Sequence, residues 1–339
     1  EARDFIRAIL ENYTTAVRPH NVQVSFDKHL LLDLWGFGPG ASALTKAKHP
    51  VEKFLSVATV TAECLPLFDF LVRNGPVYHR DGMRGPVRPP IIVKGSVLDT
   101  VKKNQETDRV IAKEPSGNML VQLALGRYIT GALRYAGLDI RRQQMLNNAL
   151  ARLGSQNQAL CTMDLKSASD LIGLALTKSL VPPDWYEALC AARSPLTTIQ
   201  LGSDHDGDYS LNMIGTMGNG FTFPLMTLLL LSLLYGYGRV HRNGKRCFVD
   251  YRKTGVFGDD LIFPDAWFDD VAQLLSDCGL WVNTQKSYYG NNPFRESCGG
   301  DYWDGIFVTP FYMKSLSCDA EIYVCLNQVL EYEARWSVS

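Results

Sequence analysis

No two cysteines of this sequence stand in the CxxC spacing of a structural zinc site or a thiol redox centre, although the chain holds eight: Cys64, Cys161, Cys190, Cys247, Cys278, Cys298, Cys318 and Cys325. Most lie inside apolar stretches, which reads as buried free thiols in a reducing compartment. A secretory signal is also missing, because the opening EARDFIRAIL is charged and has no long apolar core. The first residue is Glu1 rather than Met, so a fragment or a processed product is one expectation. Low-complexity tracts and internal repeats are absent, which excludes solenoids and repeat arrays. The longest apolar run, Leu225 to Tyr237, falls short of the roughly 20 residues that span a bilayer. With Pro224 at its start it reads as a buried core helix.

Strong net charge is lacking too. The 34 Lys and Arg nearly cancel the 35 Asp and Glu, leaving −1, an unusual balance for a nucleic-acid binder. The distribution says more. Residues 1–163 carry 21 basic and 14 acidic side chains, a net of +7, whereas residues 164–339 carry 13 and 21, a net of −8. A basic half can hold phosphates and an acidic half can hold divalent cations, although two solvated surfaces of unequal charge would look the same. At 339 residues, 46% apolar and 20% charged, the chain has the composition of a globular protein of one large unit or a few domains.

Residues 1–74 read as mainly helical, and the Gly-, Pro- and Arg-rich residues 75–95 as an irregular extended connection. Apolar spacing predicts a helix from Asn118 with Gly137 as its C-terminal cap. From residue 159 the pattern changes. A short apolar run leads into Asp164, and a helix is expected over Ala168–Val181, capped by Ser167 or Ser169 and stopped by Pro182-Pro183. A hairpin of Thr197–Gly202 and Tyr209–Ile214 follows, with Asp204-His205-Asp206-Gly207-Asp208 as a polar turn between its arms. The glycine is misplaced for a calcium loop and no closing glutamate follows at the right distance. Next come a helix over Gly220–Gly236, strands at Phe248–Tyr251 and Gly255–Phe263, a helix from Trp267 to Cys278, and extended segments at Trp281–Tyr289 and Ile306–Tyr312. This order suggests an α+β fold, an antiparallel sheet backed by helices.

The chemistry is concentrated in aspartates. In Val256-Phe257-Gly258-Asp259-Asp260-Leu261-Ile262-Phe263 two adjacent carboxylates interrupt two apolar runs. Burying both unpaired is costly, so a tight hairpin with both at its tip and Gly258 in the turn is expected, where a cation can neutralise them. A plain Asp-rich surface turn is the competing interpretation. Asp164 closes an earlier strand and Asp170 begins a helix, where it could equally serve as an N-cap. Carboxylates at neighbouring strand ends can hold two Mg²⁺ ions about 3.5–4 Å apart. Between the clusters lies Thr216-Met217-Gly218-Asn219-Gly220, whose glycines let backbone approach a ligand and whose Asn219 can bond a ribose hydroxyl.

The series DLKSASD, TMGNGFTF, FGDD, GLWVNTQKSYY and PFRESCGGDYWDGIFVTPFY, with FGPGA and EPSGNM upstream, resembles the replicases of the leviviruses, the small RNA bacteriophages such as Qβ. The match covers roughly residues 103 to 312 and looks like polymerase motifs A to E in order. The resemblance implies an α+β right-hand polymerase fold. Residues 1–158 would be a fingers region, residues 159–290 a palm with a fingers insertion around 182–215, and residues 291–339 motif E and the start of a truncated thumb. It implies an RNA-directed RNA polymerase that copies a single-stranded phage genome. Asp164 and Asp259 would hold two Mg²⁺ ions, which Mn²⁺ can replace, with Asp260 in support. Asp170, Asn219 and Ser169, beside Gly218, would read the ribose. Lys286 would protonate pyrophosphate, and Lys103, Arg109 and Lys113 would clamp the triphosphate; Arg295 is a looser candidate for the substrate or template path. Lys166 and Thr216 depart from the family pattern, which has a small polar residue and serine there. The implied partners are RNA template and product, ribonucleoside triphosphates, host elongation factors Tu and Ts and a ribosomal protein. The implied setting is the cytoplasm of an infected bacterium, with no membrane. A reverse transcriptase, or a catalytically silent RNA-binding subunit, is the alternative.

Overall fold

The computed structural model describes residues 1–18, 24–38, 40–44, 49–75, 89–102, 108–202, 204–241, 250, 252–310 and 316–336. The helices are α1 (Ala2–Val17), α2 (Leu31–Leu34), α3 (Pro50–Leu55), α4 (Leu65–Asn74), α5 (Ser116–Tyr135), α6 (Ile140–Asn157), α7 (Ala168–Leu171), α8 (Leu174–Leu180), α9 (Pro183–Ala192), α10 (Thr222–His241), α11 (Phe268–Asp277) and α12 (Asp319–Trp336). The strands are β1 (Thr59–Thr61), β2 (Ile91–Val93), β3 (Ser96–Lys102), β4 (Asp108–Lys113), β5 (Leu160–Met163), β6 (Leu165–Lys166), β7 (Leu196–Ile199), β8 (Gly207–Ser210), β9 (Gly255–Phe257), β10 (Asp260–Pro264), β11 (Trp281–Val282), β12 (Phe294–Ser297), β13 (Gly300–Trp303) and β14 (Ile306–Phe307).

Two long helices form the core. α5 and α10 are apolar on most faces, so both must be enclosed; they pack on each other and on α1. α10 is long and apolar enough to cross a membrane by length and composition, but most of its side chains are buried inside the protein. Polar residues open α5 and are buried with it. Asn118 accepts from the backbone N–H of Thr61 and donates to Thr61 Oγ1 and the Ala192 carbonyl, tying β1 and α9 to the helix start. Gly137 ends this region with a positive φ, as its cap position requires.

Among the described residues, three small antiparallel arrangements, the parallel pair of β1 with β2, and one mixed sheet surround this core. β5, β10 and β9 form a three-stranded sheet with β10 in the centre. β12, β13 and β14 form another, and α6 packs against strands of both. β3 and β4 pair antiparallel, and β3 also pairs in parallel with β7, so the β7–β8 hairpin joins the sheet of β3 and β4.

Several expectations need correction. The helix expected over Ala168–Val181 is broken into α7 and α8. The backbone at Ile172–Gly173 instead pairs with residues 212–214: Ile214 N–H donates to the Ile172 carbonyl and Leu174 N–H to the Asn212 carbonyl. Hydrogen bonding to a neighbouring segment outweighs helical propensity there. For the same reason the second hairpin arm stops at Ser210 rather than Ile214. Ser167 occupies the cap position of α7 in a left-handed conformation, but its side chain makes no cap bond. Trp281–Tyr289 is a strand only at its start, then turns and rejoins β5 at Tyr288. The final extended segment is a strand over Ile306–Phe307. Phe248 and Tyr251, the ends of the expected strand before residue 255, lie outside the described residues. Of the described cysteines only Cys64 and Cys161 are buried; all seven are free, and Cys318 is exposed.

Candidate active site

Two segments distant in sequence bring the aspartates to one end of the central sheet. β10 runs antiparallel to β5 with Leu261 opposite Met163, so the next pair along the same register is Asp260 opposite Asp164. β9 and β10 are joined by the two residues Gly258-Asp259, with Asp260 paired to Phe257. Gly258 has φ +61° and Asp259 is not left-handed, the signature of a type II′ turn with glycine in its first central position. A side chain at Gly258 would also collide with Phe223, 2.5 Å from where a Cβ would sit. The Gly258 N–H donates to Thr227 Oγ1 on α10, which fixes the tip against that helix.

The surroundings of the three carboxylates are mostly residues that sequence patterns did not single out. Asn283 Nδ2 donates to Asp164 Oδ2 at 2.7 Å, Asn283 N–H donates to the Asp164 carbonyl, and Asp164 N–H donates to Ser287 Oγ. Asn147 on α6 donates to the Asp260 carbonyl and to Ser297 Oγ, while Gln143 donates to Asn147 Oδ1 and sets its amide. β12 and β13 turn through Cys298 and Gly299, both at positive φ, the pattern of a type I′ hairpin. Cys298 lies close to the Asp260 carboxyl, and its backbone and thiol favour the charged form of that group. Burial, then the charge of Asp260, pushes the Cys298 thiol up to about 12, so it stays a proton donor. Glu296 and Asp301 face each other across this hairpin, and burial raises both carboxyls; nearby Lys286 partly offsets the rise in each.

Asp260 carries the electrostatic record of the site. Burial raises its carboxyl to about 6, the Cys298 bonds oppose the rise, and the charges of Asp259 and Asp164 add to it. Asp259 and Asp164 both add negative charge at the Asp260 carboxyl, and carboxylates placed so are the kind of donor set that a hard divalent cation such as Mg²⁺ would relieve. Among the described residues, no three His, Cys, Asp or Glu side chains already stand together as a preformed ligand group.

The glycine-rich loop lies against a basic strand. Met217 accepts from Ala112 N–H at 2.8 Å, and Gly218, at φ +128°, touches the Ala112 carbonyl so closely that a Cβ would sit 2.2 Å from it. Asn219 is buried; its Oδ1 accepts from Phe221 N–H, while its Nδ2 finds no partner among the described residues. α10 begins three residues later, and its Phe223 and Thr227 touch the Gly258 turn, so Asn219 and the Asp259 tip flank the same helix end. α7, which carries Ser169 and Asp170, packs against α10 as well. Burial raises the Asp170 carboxyl and the Ser169 hydroxyl lowers it.

Residues 22–338 match the family model described as RNA replicase, beta-chain. The chain belongs to the RNA replicase beta-chain family. It is 37% identical over 239 residues to the RNA-directed RNA polymerase subunit beta of Escherichia virus Qbeta, covering 70% of this chain and 38% of that protein. It is 32% identical over 300 residues to the RNA-directed RNA polymerase beta chain of Enterobacteria phage fr, covering 86% of this chain and 52% of that one. The chain thus spans about half or less of the length of these relatives. A solved structure, described as the segmented genome and RNA polymerase complex inside a dsRNA virus, shares the fold with a TM-score of 0.53 at 14% identity, over 90% of this chain and 28% of that one.

In this replicase family member the basic residues expected to clamp the triphosphate are not gathered alike. Lys103 lies outside the described residues. Arg109 is exposed on β4, and Lys113 is ion-paired with Asp99 at 2.9 Å. Arg295 is not on a substrate path. It is fully buried, donating to the carbonyls of Leu160, Phe294, Gly290 and Asn292 beside Asp265. Lys286 is exposed next to the hairpin that carries Glu296 and Asp301.

A pH dependence follows from Asp260. Its folded carboxyl titrates near 6, above the ordinary value, so the protonated form favours folding. That contribution is complete below about pH 4 and is lost as pH rises through about 6. In metal-free buffer the Asp260 contribution is therefore expected to make the replicase chain less stable at pH 7 than at pH 5, with Mg²⁺ narrowing the gap. Thermal melts of the unaltered chain and of Asp260→Asn check this; an identical pH profile in both would refute it.

Proposed function

We propose that this chain is the catalytic core of an RNA-directed RNA polymerase of a levivirus-like phage, acting through two bound Mg²⁺ ions. The observation that carries this reading is the register of β5 with β10, which brings Asp164 to the hairpin tip holding Asp259 and Asp260. Asp164 and Asp259 would hold the ions, with Asp260 in support. Bound there, the ions supply a lowered pKa at the primer 3′-hydroxyl and neutralise charge developing at the α-phosphate.

The chain's own residues do the rest. Asn283 and Ser287 fix the Asp164 strand end, and Cys298 and Asn147 fix Asp260 from the opposite side. Asn219, with a buried donor left over, reads the ribose 2′-hydroxyl together with Asp170 and Ser169. Lys286 supplies a proton to the departing pyrophosphate. Arg109 and Lys103, with Lys113 once released from Asp99, meet the triphosphate.

The fold is read as a right hand: fingers over residues 1–158, a palm over 159–290 with an insertion at 182–215 returning to the fingers, and the beginning of a thumb over 291–339. The pairing of β7 with β3 supports that insertion. The partners proposed are an RNA template and its product, ribonucleoside triphosphates, and host elongation factors Tu and Ts with a ribosomal protein, in the bacterial cytoplasm. The test is template-directed incorporation of ribonucleotides by the purified chain with Mg²⁺ or Mn²⁺, with and without those host factors. Incorporation that requires the template and stops on chelation is the expected result. No incorporation under any of these conditions, or a preference for deoxyribonucleotides, would overturn the reading.

A further inference from the structure

Glu114 is a carboxylate that the reaction does not use, yet it is only 1% exposed. It stands between β4 and α5 and collects three donors. Ser194 Oγ lies 2.6 Å and Gln122 Nε2 3.0 Å from one oxygen, and Thr216 Oγ1 lies 3.0 Å from the other. Arg193 adds a nearby positive charge, and Cys64 faces the carboxylate from α4's start. Burying a carboxylate is costly and demands this many partners. The three donors come from α5, from the segment after α9 and from the glycine-rich loop, so the carboxylate ties three separate parts of the chain together.

The third of these leads to the nucleotide site. The Thr216 carbonyl accepts from the Asn219 N–H and from Thr222 Oγ1, so Thr216 closes the turn that carries Asn219. Two residues before Glu114, Ala112 donates to Met217 in the same loop. The loop is therefore held at both Thr216 and Met217 by the end of the basic strand. The one buried donor it leaves without a partner among the described residues is Asn219 Nδ2.

We infer that Glu114 is a positioning residue for sugar recognition: through Thr216 it sets the Asn219 amide so that its spare N–H meets the 2′-hydroxyl of a ribonucleoside triphosphate. This rests on the reading of Asn219 as a ribose contact. Thr216 is suited to the link because its hydroxyl donates to Glu114 while its backbone shapes the turn. A serine keeps that hydroxyl, and a valine keeps the shape without it.

The experiment is equilibrium binding of GTP and 2′-deoxy-GTP to the full chain with Mg²⁺, expressed as the ratio of the two affinities. Thr216→Val and Glu114→Ala are expected to lower the ratio about five- to tenfold by weakening GTP alone, the loss of one well-placed hydrogen bond. Thr216→Ser is expected to keep it. A purely structural role would weaken both nucleotides together and leave the ratio unmoved, and that result in Thr216→Val overturns the inference even if Glu114→Ala fails to fold. An unaltered chain that binds both nucleotides equally refutes the ribose-contact reading itself, and the inference falls with it.

Discussion

Asp259→Asn is expected to lower template-directed nucleotide incorporation by about 1,000-fold or more while leaving RNA affinity within a few-fold of the unaltered chain. The amide keeps the size of the side chain and can keep the turn, because the turn depends on Gly258 and on the bond from its N–H to Thr227. What is lost is one negative charge at the hairpin tip. If Asp259 helps to hold the ions, the transition state loses several kcal/mol of charge stabilisation, and about 4 kcal/mol corresponds to that rate. RNA affinity rests mainly on basic side chains meeting phosphates elsewhere, so it should survive. Single-turnover incorporation measured beside RNA binding separates the two effects. Incorporation within tenfold of normal would show that Asp259 is a turn residue and no more. A loss of RNA affinity as large as the loss of incorporation would point to a collapsed tip.

Arg295→Met should be the most destabilising single change among the residues discussed. The guanidinium is wholly buried and holds four carbonyls, those of Leu160 on β5, Gly290, Asn292 and Phe294. Asp265, which follows β10, sits 3.5 Å away and also accepts from Gly290 N–H. One side chain thus joins the β12 hairpin to both strands that carry the aspartates. Burial lowers the arginine pKa and Asp265 opposes that fall, so the ion pair offsets part of the desolvation. Methionine fills similar space but leaves the four carbonyls without their donor and removes the ion-pair partner of Asp265. Breaking a buried charge network in this way costs about 3–5 kcal/mol. For a chain of this size the melting temperature should fall by roughly 4–7 °C. Calorimetry or denaturant unfolding measures it, and a loss below about 1 kcal/mol would mean the carbonyls find water.

The parts of the candidate site that were legible in the sequence are those whose chemistry is local. Asp259 and Asp260 stand out because two carboxylates interrupt two apolar runs, and Gly258 because a turn between them needs a left-handed residue. The long helices α5 and α10 were legible for the same reason, since their apolar spacing extends over many turns. The supports of the site were not legible. Asn283 and Ser287 matter because they lie beside Asp164, and Asn147 because α6 passes under Asp260; each pairing spans more than a hundred residues. Nothing in the spelling of an asparagine distinguishes such a bond from a surface one. Arg295 was hidden for a related reason: a basic residue in a distinctive motif suggests the substrate or template path, and only packing shows that it faces inward. The break between α7 and α8 was hidden because its cause, pairing with residues 212–214, is not in the helix at all.

The order of strands in the central sheet also constrains how the molecule is made on a ribosome. β5 is complete by residue 163, but its neighbour β10 is synthesised about a hundred residues later and is the middle strand. Until then β5 has no partner on that side, and Asp164 has no neighbouring aspartates. A nascent chain stopped before residue 264 therefore carries an open strand edge, prone to wrong pairing, and no assembled centre at all. The three aspartates come together late and all at once, so prematurely ended translation products should lack the cluster and should be prone to aggregation.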